Sequence, residues 1–282
     1  VPAIEMAERP GVQLTGGFAE SEDRIVVLPN AVVLLDGATQ LEPSRHTGGW
    51  YAERLGDRLR RQLTAQPDID LAELLASCIS QVAADHDLEP GKAPSSTVAV
   101  VRWDAERVDA LVLADSPVVA FTVGDVHVLS DNRLANLSVP RRTGYREQLR
   151  DGEGFTSTHT EALRASAGEV GAYRNRQGGF WVAEADPDAA KQAMRATWMR
   201  DQVQAVVMAS DGVSCGVEDY GVFADWTALY DQAVQDGLHT VLDAVRKAEE
   251  SDPDGRKWPR PKRHDDQSLV LVHFDDDWFP RF

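Results

Sequence analysis

The stretch Ala31-Val32-Val33-Leu34-Leu35-Asp36-Gly37 runs five apolar residues into an acid and then a glycine. An uninterrupted run of this length, rich in Val, reads as a strand. Arg24 to Leu28 has a similar character, and Pro29-Asn30 between the two supplies turn chemistry, so they form a pair. Asp36 therefore stands where a strand ends. A single Asp-Gly at such a place is ordinary turn chemistry.

The arrangement recurs. Glu22-Asp23 lies between an expected strand over Val12 to Ala19 and Arg24 to Leu28. Asp115 follows Leu111-Val112-Leu113-Ala114. Asp211 follows Val206-Val207-Met208-Ala209-Ser210 and precedes Gly212, and Asp265-Asp266 comes immediately before Ser268 to Phe274. If those strand ends converge, several carboxylates share one small volume, where repulsion raises their pKa values or pushes the strands apart. A hard divalent cation removes the conflict, because Mg²⁺ and Mn²⁺ favour oxygen ligands. The glycines after Asp36 and Asp211 would let backbone approach such an ion closely.

The rest of the chain alternates between the two periods. Thr47 to Leu63 and Leu71 to Ala84 are amphipathic at helical spacing. Ser96 to Trp103, Val108 to Leu113, Pro117 to Val123 and Val126 to Leu129 read as strands, with Gly124-Asp125 as a hairpin turn. Their short connections require an antiparallel meander. Ala189 to Arg200 and Trp226 to Glu250 read as helices, Gln204 to Ala209 and Ser268 to Phe274 as strands. The fold class is α+β, two antiparallel sheets each covered by helices. No linker splits the 282 residues, so one domain over 1–282 is expected, with a flap or insertion at about 132–180.

A formal charge of −17 disfavours nucleic acid and anionic membranes as partners. The basic residues Arg256-Lys257 and Arg260 to Arg263 read as a solvated loop, with a docking loop as the alternative. No apolar run is long enough to span a bilayer. Val1-Pro2-Ala3-Ile4-Glu5 lacks the basic and apolar regions of a secretion signal. The two cysteines, Cys78 and Cys215, are expected as reduced thiols, and a cytoplasmic location follows. Zinc-hydrolase motifs, an EF-hand loop, a nucleophile elbow and a P-loop are all missing, which removes those chemistries.

Six segments, taken in order, resemble the protein phosphatase 2C (PPM) family, in its bacterial branch. They are Ser21-Glu22-Asp23-Arg24, Val33 to Gly37, Ser95-Ser96-Thr97-Val98-Ala99, Ala114-Asp115-Ser116, Ala209-Ser210-Asp211-Gly212-Val213 and His264-Asp265-Asp266-Gln267-Ser268. The resemblance implies a four-layer α-β-β-α sandwich with a two-metal site, Mn²⁺ or Mg²⁺, between the sheet edges. It implies that Asp36 bridges both ions and the Gly37 carbonyl binds one. Glu22 and Asp23 would hold ions directly or through water, and Asp211 with Asp265, preferred over Asp266, would complete the site. Asp115 would match the ligand of a third, weaker ion. Water activated by the ions would attack phosphorus in line, with no protein nucleophile.

The chain departs from the family pattern in three places. Ala38 stands where eukaryotic members have His. Phe18 to Ser21 lack the phosphate-clamping Arg, for which Arg24 and Arg45 are candidates, with His46 a candidate proton donor and surface ion pairs the alternative. Ala114 replaces Gly. The expected function is hydrolysis of phosphomonoesters, on phosphoserine or phosphothreonine of proteins. Two alternatives stay open: a phosphatase-like binding module without turnover, and an enzyme acting on a small phosphorylated metabolite. The oligomeric state is not readable.

Overall fold

A computed structural model describes residues 2–14, 16–42, 44–137 and 144–274. Ten strands form two five-stranded sheets. One has the order β1 (Ala3–Arg9), β10 (Gln267–His273), β9 (Val203–Ala209), β6 (Val118–Thr122), β7 (Asp125–Leu129). The other has the order β2 (Asp23–Leu28), β3 (Ala31–Asp36), β4 (Val98–Trp103), β5 (Arg107–Leu113), β8 (Met194–Met199). Every pairing is antiparallel. Helices α1 (Gly48–Ala65) and α2 (Leu71–Asp85) cover the second sheet. The first is covered by α5 (Asp211–Glu218), α6 (Trp226–Asp236) and α7 (Leu238–Ser251), while α3 (Gly144–Asp151) and α4 (Ser157–Gly171) lie between β7 and β8 in sequence.

Strand alternation explains the four layers. In β3, Val33 and Leu35 pack on Tyr51, Leu55 and Ile79 of the helices, whereas Val32 and Leu34 face Ala120, Met208 and Val270 of the other sheet. All four β3 side chains are fully buried, each contributing about 1.5–3 kcal/mol over exposure. Because both faces of β3 are apolar, the register is marked by its polar end: a one-residue slip would carry Asp36 toward the wrong layer. On the far side, Val207, Leu269 and Leu271 pack against Leu229, Val241 and Val245.

Several sequence expectations change. The first strand is Ala3–Arg9, paired along β10, and Val12 with Phe18 makes only an isolated bridge. The expected meander is divided: β4 and β5 belong to one sheet, β6 and β7 to the other, and the chain crosses at Ala114 to Pro117. The expected helix over Ala189 to Arg200 is a 3-10 turn, Pro187–Gln192, followed by β8. Pairing with β5 overrides the helical propensity of that segment. Gly237, at φ +88°, breaks the expected long helix into α6 and α7. The expected flap at about 132–180 contains α3 and α4, and its residues 138–143 lie outside the described residues.

Ala114 adopts φ +67°, the left-handed region that a Cβ disfavours. Ala114→Gly should therefore stabilise the fold by up to about 1 kcal/mol, which thermal unfolding would read as a rise of about 2–4 °C in Tm. An unchanged or lower Tm would show that the methyl's packing against Phe180 and Val182 outweighs the backbone cost.

Candidate metal centre

The β2–β3 register sets Asp23 directly opposite Asp36. Alternation turns Asp36 to the side of Val32 and Leu34, into the space between the sheets, and Asp23 to the side of Ile25. The facing sheet contributes Asp211, just after β9, and Asp265, just before β10. Asp115 arrives from the crossing between sheets. Asp211 is also the first residue of α5, so its carboxylate meets the positive end of a helix as well as ending a strand.

The electrostatics show how closely these acids gather. Burial, then the charges of Asp23, Asp211, Asp265 and Asp115, push Asp36 well above the usual carboxylate range. Burial, followed by Asp265, Asp115 and Asp23, does the same to Asp211, with Lys262 opposing. Both side chains nevertheless keep surface open to the cleft. Asp23 is wholly enclosed, and its pKa is raised to about 7 by burial, then by Asp266 and Asp265, against the hydroxyls of Ser268 and Ser210. Those hydroxyls lie close enough to favour the charged form, yet no hydrogen bond of good geometry reaches either Asp23 oxygen. A carboxylate in that condition needs a proton or a cation. Among the described residues, no three His, Cys, Asp or Glu side chains close on one point as a finished cage. The all-oxygen donor set suits Mg²⁺ or Mn²⁺.

Local bonds fix the frame. The Asp36 amide donates to Thr97 Oγ1 at 3.0 Å, the Thr97 amide donates to the Asp36 carbonyl at 2.9 Å, and Thr97 Oγ1 meets Ser116 Oγ at 2.7 Å. The Gly37 amide donates to the Glu22 carbonyl at 3.2 Å. Glu22 Oε1 accepts from the Gly49 amide in the first turn of α1 at 3.3 Å. Burial raises the Glu22 pKa, offset by Thr39, Gly49 and Lys262.

The two glycines have a different use from the one expected. A Cβ on Gly37 would lie 2.4 Å from the Gly48 carbonyl carbon, and one on Gly212 would lie 1.9 Å from the Asp266 carbonyl oxygen. What they permit is the close passage of one backbone over another.

Asp265 and Asp266 divide their work. Asp266 Oδ1 accepts from the Gly11 amide at 2.7 Å and Oδ2 from the Glu22 amide at 3.1 Å, so both oxygens tie backbone together. Asp265 Oδ1 accepts from the Asp266 amide at 2.8 Å and from Lys262 Nζ at 2.8 Å.

The proposed phosphate and proton groups stand elsewhere. Arg24 projects from the opposite face of β2 to Asp23, and its guanidinium donates to the Ser21 and Asp23 carbonyls at 3.0 and 2.7 Å. Arg45 is exposed. His46 stacks on Trp50 at 3.7 Å between ring centroids, with His86 at its edge. Among the described residues, no ion pair links these three to Asp36 or Asp211.

Sequence reasoning missed Lys262. In the basic segment expected as a solvated loop, Arg256, Lys257 and Arg263 are exposed, but two residues turn inward: Arg260 pairs with Asp252 at 3.1 Å, and Lys262 is 8% exposed. The available signal was a lysine three residues before Asp265. Cys78 and Cys215 are free thiols.

Residues 20–245 match the family described as protein phosphatase 2C. The chain belongs to that family. Solved phosphatases share its fold at low identity. Serine/threonine phosphatase Stp1 from Staphylococcus aureus is 13% identical at a TM-score of 0.54, with 98% of this chain and 96% of that one covered. The PPM Ser-Thr phosphatase MsPP from Mycobacterium smegmatis, in complex with cacodylate, is 18% identical at 0.52, with 96% and 97% covered. PppA, a key regulatory component of T6SS in Pseudomonas aeruginosa, is 16% identical at 0.54, with 96% and 97% covered. No curated protein matches the chain in sequence.

For the metal-free protein the linkage has a definite sign. The folded state holds a proton on Asp23 up to about pH 7, whereas the unfolded chain releases it near 3.8. The folded form therefore binds more protons in this window, and stability should fall as pH rises through it. Thermal unfolding of chelator-treated protein should give a lower Tm at pH 8 than at pH 5.5, with the slope reduced in Asp23→Asn. An identical slope in the variant would remove Asp23 as its source.

Proposed function

We propose that this protein phosphatase 2C family member is a phosphomonoester hydrolase acting on phosphoserine or phosphothreonine in proteins, with Mn²⁺ or Mg²⁺ as cofactor. The observation that carries the reading is Asp23, buried opposite Asp36 with no hydrogen bond of good geometry to either oxygen and with Asp211, Asp265 and Asp266 acting on it.

Asp36, Asp211 and Asp265 are the residues to hold the ions, with the Gly37 carbonyl and Asp23 beside them. Asp115 is the candidate ligand of a further, weaker ion. Glu22, anchored on the first turn of α1, shapes the near wall. A divalent ion, when bound, supplies water acidic enough to attack phosphorus at neutral pH and charge to stabilise the phosphoryl oxygens. The chain's own part is to fix the acids. Thr97 and Ser116 hold the end of β3, and Gly212 lets the strand carrying Asp265 pass over α5. The exposed face of Asp211 keeps the cleft open to substrate. No Ser, Cys or His nucleophile is required.

A second reading, a binding module without turnover, is favoured by Lys262, which already neutralises Asp265. Phosphate release decides between them. Wild-type protein with Mn²⁺ should hydrolyse p-nitrophenyl phosphate and phosphopeptides. Asp36→Asn or Asp211→Asn should lower kcat/KM on the order of 100-fold or more. Full activity in excess chelator contradicts the enzyme reading. Manganese bound without phosphate release supports the module, and preference for phosphometabolites over phosphopeptides shifts the substrate class.

A further inference from the structure

Lys262 is an unusual occupant for a cleft built to receive cations. Its ammonium lies 2.8 Å from Asp265 Oδ1, 3.8 Å from Asp266 Oδ2 and 3.2 Å from Thr39 Oγ1, and the residue is 8% exposed. Its charge also acts on Glu22, Asp36 and Asp211. The segment carrying Lys262 is anchored on both sides. Arg260 donates to the Glu249 and Asp252 carbonyls at 3.1 and 2.8 Å, and Arg246 donates to the Asp265 carbonyl at 3.0 Å. An ammonium held in this way is not a surface side chain swinging past the acids.

Three oxygens, from Asp265, Asp266 and Thr39, with Glu22, Asp36 and Asp211 within its field, are the surroundings of a small cation. Lysine offers one charge and up to three hydrogen bonds where a divalent ion offers two charges and a coordination shell. Asp265 Oδ1 already receives both the Asp266 amide and Lys262, which leaves Asp265 one oxygen to offer a metal.

We propose that Lys262 is a resident protein cation of the acid cluster, standing in for one divalent ion at the Asp265 and Glu22 side of the cleft. The chain then binds one fewer Mn²⁺ than the same cleft with the ammonium removed. Ions bind instead at Asp36, Asp211 and the free oxygen of Asp265. The ammonium also offsets part of the repulsion among the acids in the metal-free fold. This inference rests on the metal-site reading above.

Calorimetric titration of the full chain with Mn²⁺ alone tests it through stoichiometry, without reference to turnover. Lys262→Met should bind one more Mn²⁺ per chain than wild type, and Lys262→Arg, which keeps the charge, should match wild type. The metal-free Lys262→Met protein should unfold at lower temperature than wild type and regain that loss on adding Mn²⁺. Equal stoichiometry in wild type and Lys262→Met overturns the proposal while leaving the metal site intact. A Mn²⁺-soaked crystal of the wild-type chain with an ion between Asp265 Oδ1 and Glu22 and the Lys262 ammonium displaced does so as well, even if the methionine variant fails to fold. Absence of Mn²⁺ binding in every protein overturns the metal site itself, and this inference with it.

Discussion

The organising constraint is a repulsion. Antiparallel pairing of β2 with β3 places Asp23 and Asp36 directly across from one another, an arrangement that costs stability in an ordinary sheet. The facing sheet then adds Asp211 and Asp265 to the same space, and the crossing between sheets adds Asp115. Hydrophobic packing in three layers supplies the energy that holds these ends together. β3 alone contributes four fully buried side chains, and the inter-sheet core extends from Val32 to Val272. The electrostatic strain concentrates at the end of the sandwich, where the apolar residues stop. A fold that gathers acids in this manner is incomplete without positive charge.

Much of this was legible in the chain. Short apolar runs with Asp just beyond one end identified β3, β5, β9 and β10, and the order of the acid-bearing segments pointed to the family. Periodicity located α1 and α2 because their buried faces repeat at helical spacing. It failed where partner strands decide the outcome. Met194 to Met199 has no strong strand character of its own and becomes β8 through pairing with β5. The crossing between sheets at Ala114 was invisible for a similar reason, since antiparallel strands with short connections look alike whether they share a sheet or not.

The site was less legible than the fold, and the omissions are instructive. Lys262 sits in a run of basic residues whose composition suggests a solvated loop, yet its ammonium faces the acids because Arg260 and Arg246 anchor the chain on either side. Arg24, one residue from Asp23, looked well placed in sequence but lies on the other face of the strand. Asp266 is an aspartate like its neighbour and directly adjoins β10, but its oxygens are committed to the Gly11 and Glu22 amides. In each case the determining fact is direction, which a linear sequence does not carry.

The most direct test of the central claim is anomalous diffraction from crystals grown or soaked with Mn²⁺. The account predicts a manganese peak between the sheets, within about 2.2 Å of carboxylate oxygens from both Asp36 and Asp211. Manganese found only on outer surfaces, with none between the sheets, would contradict it.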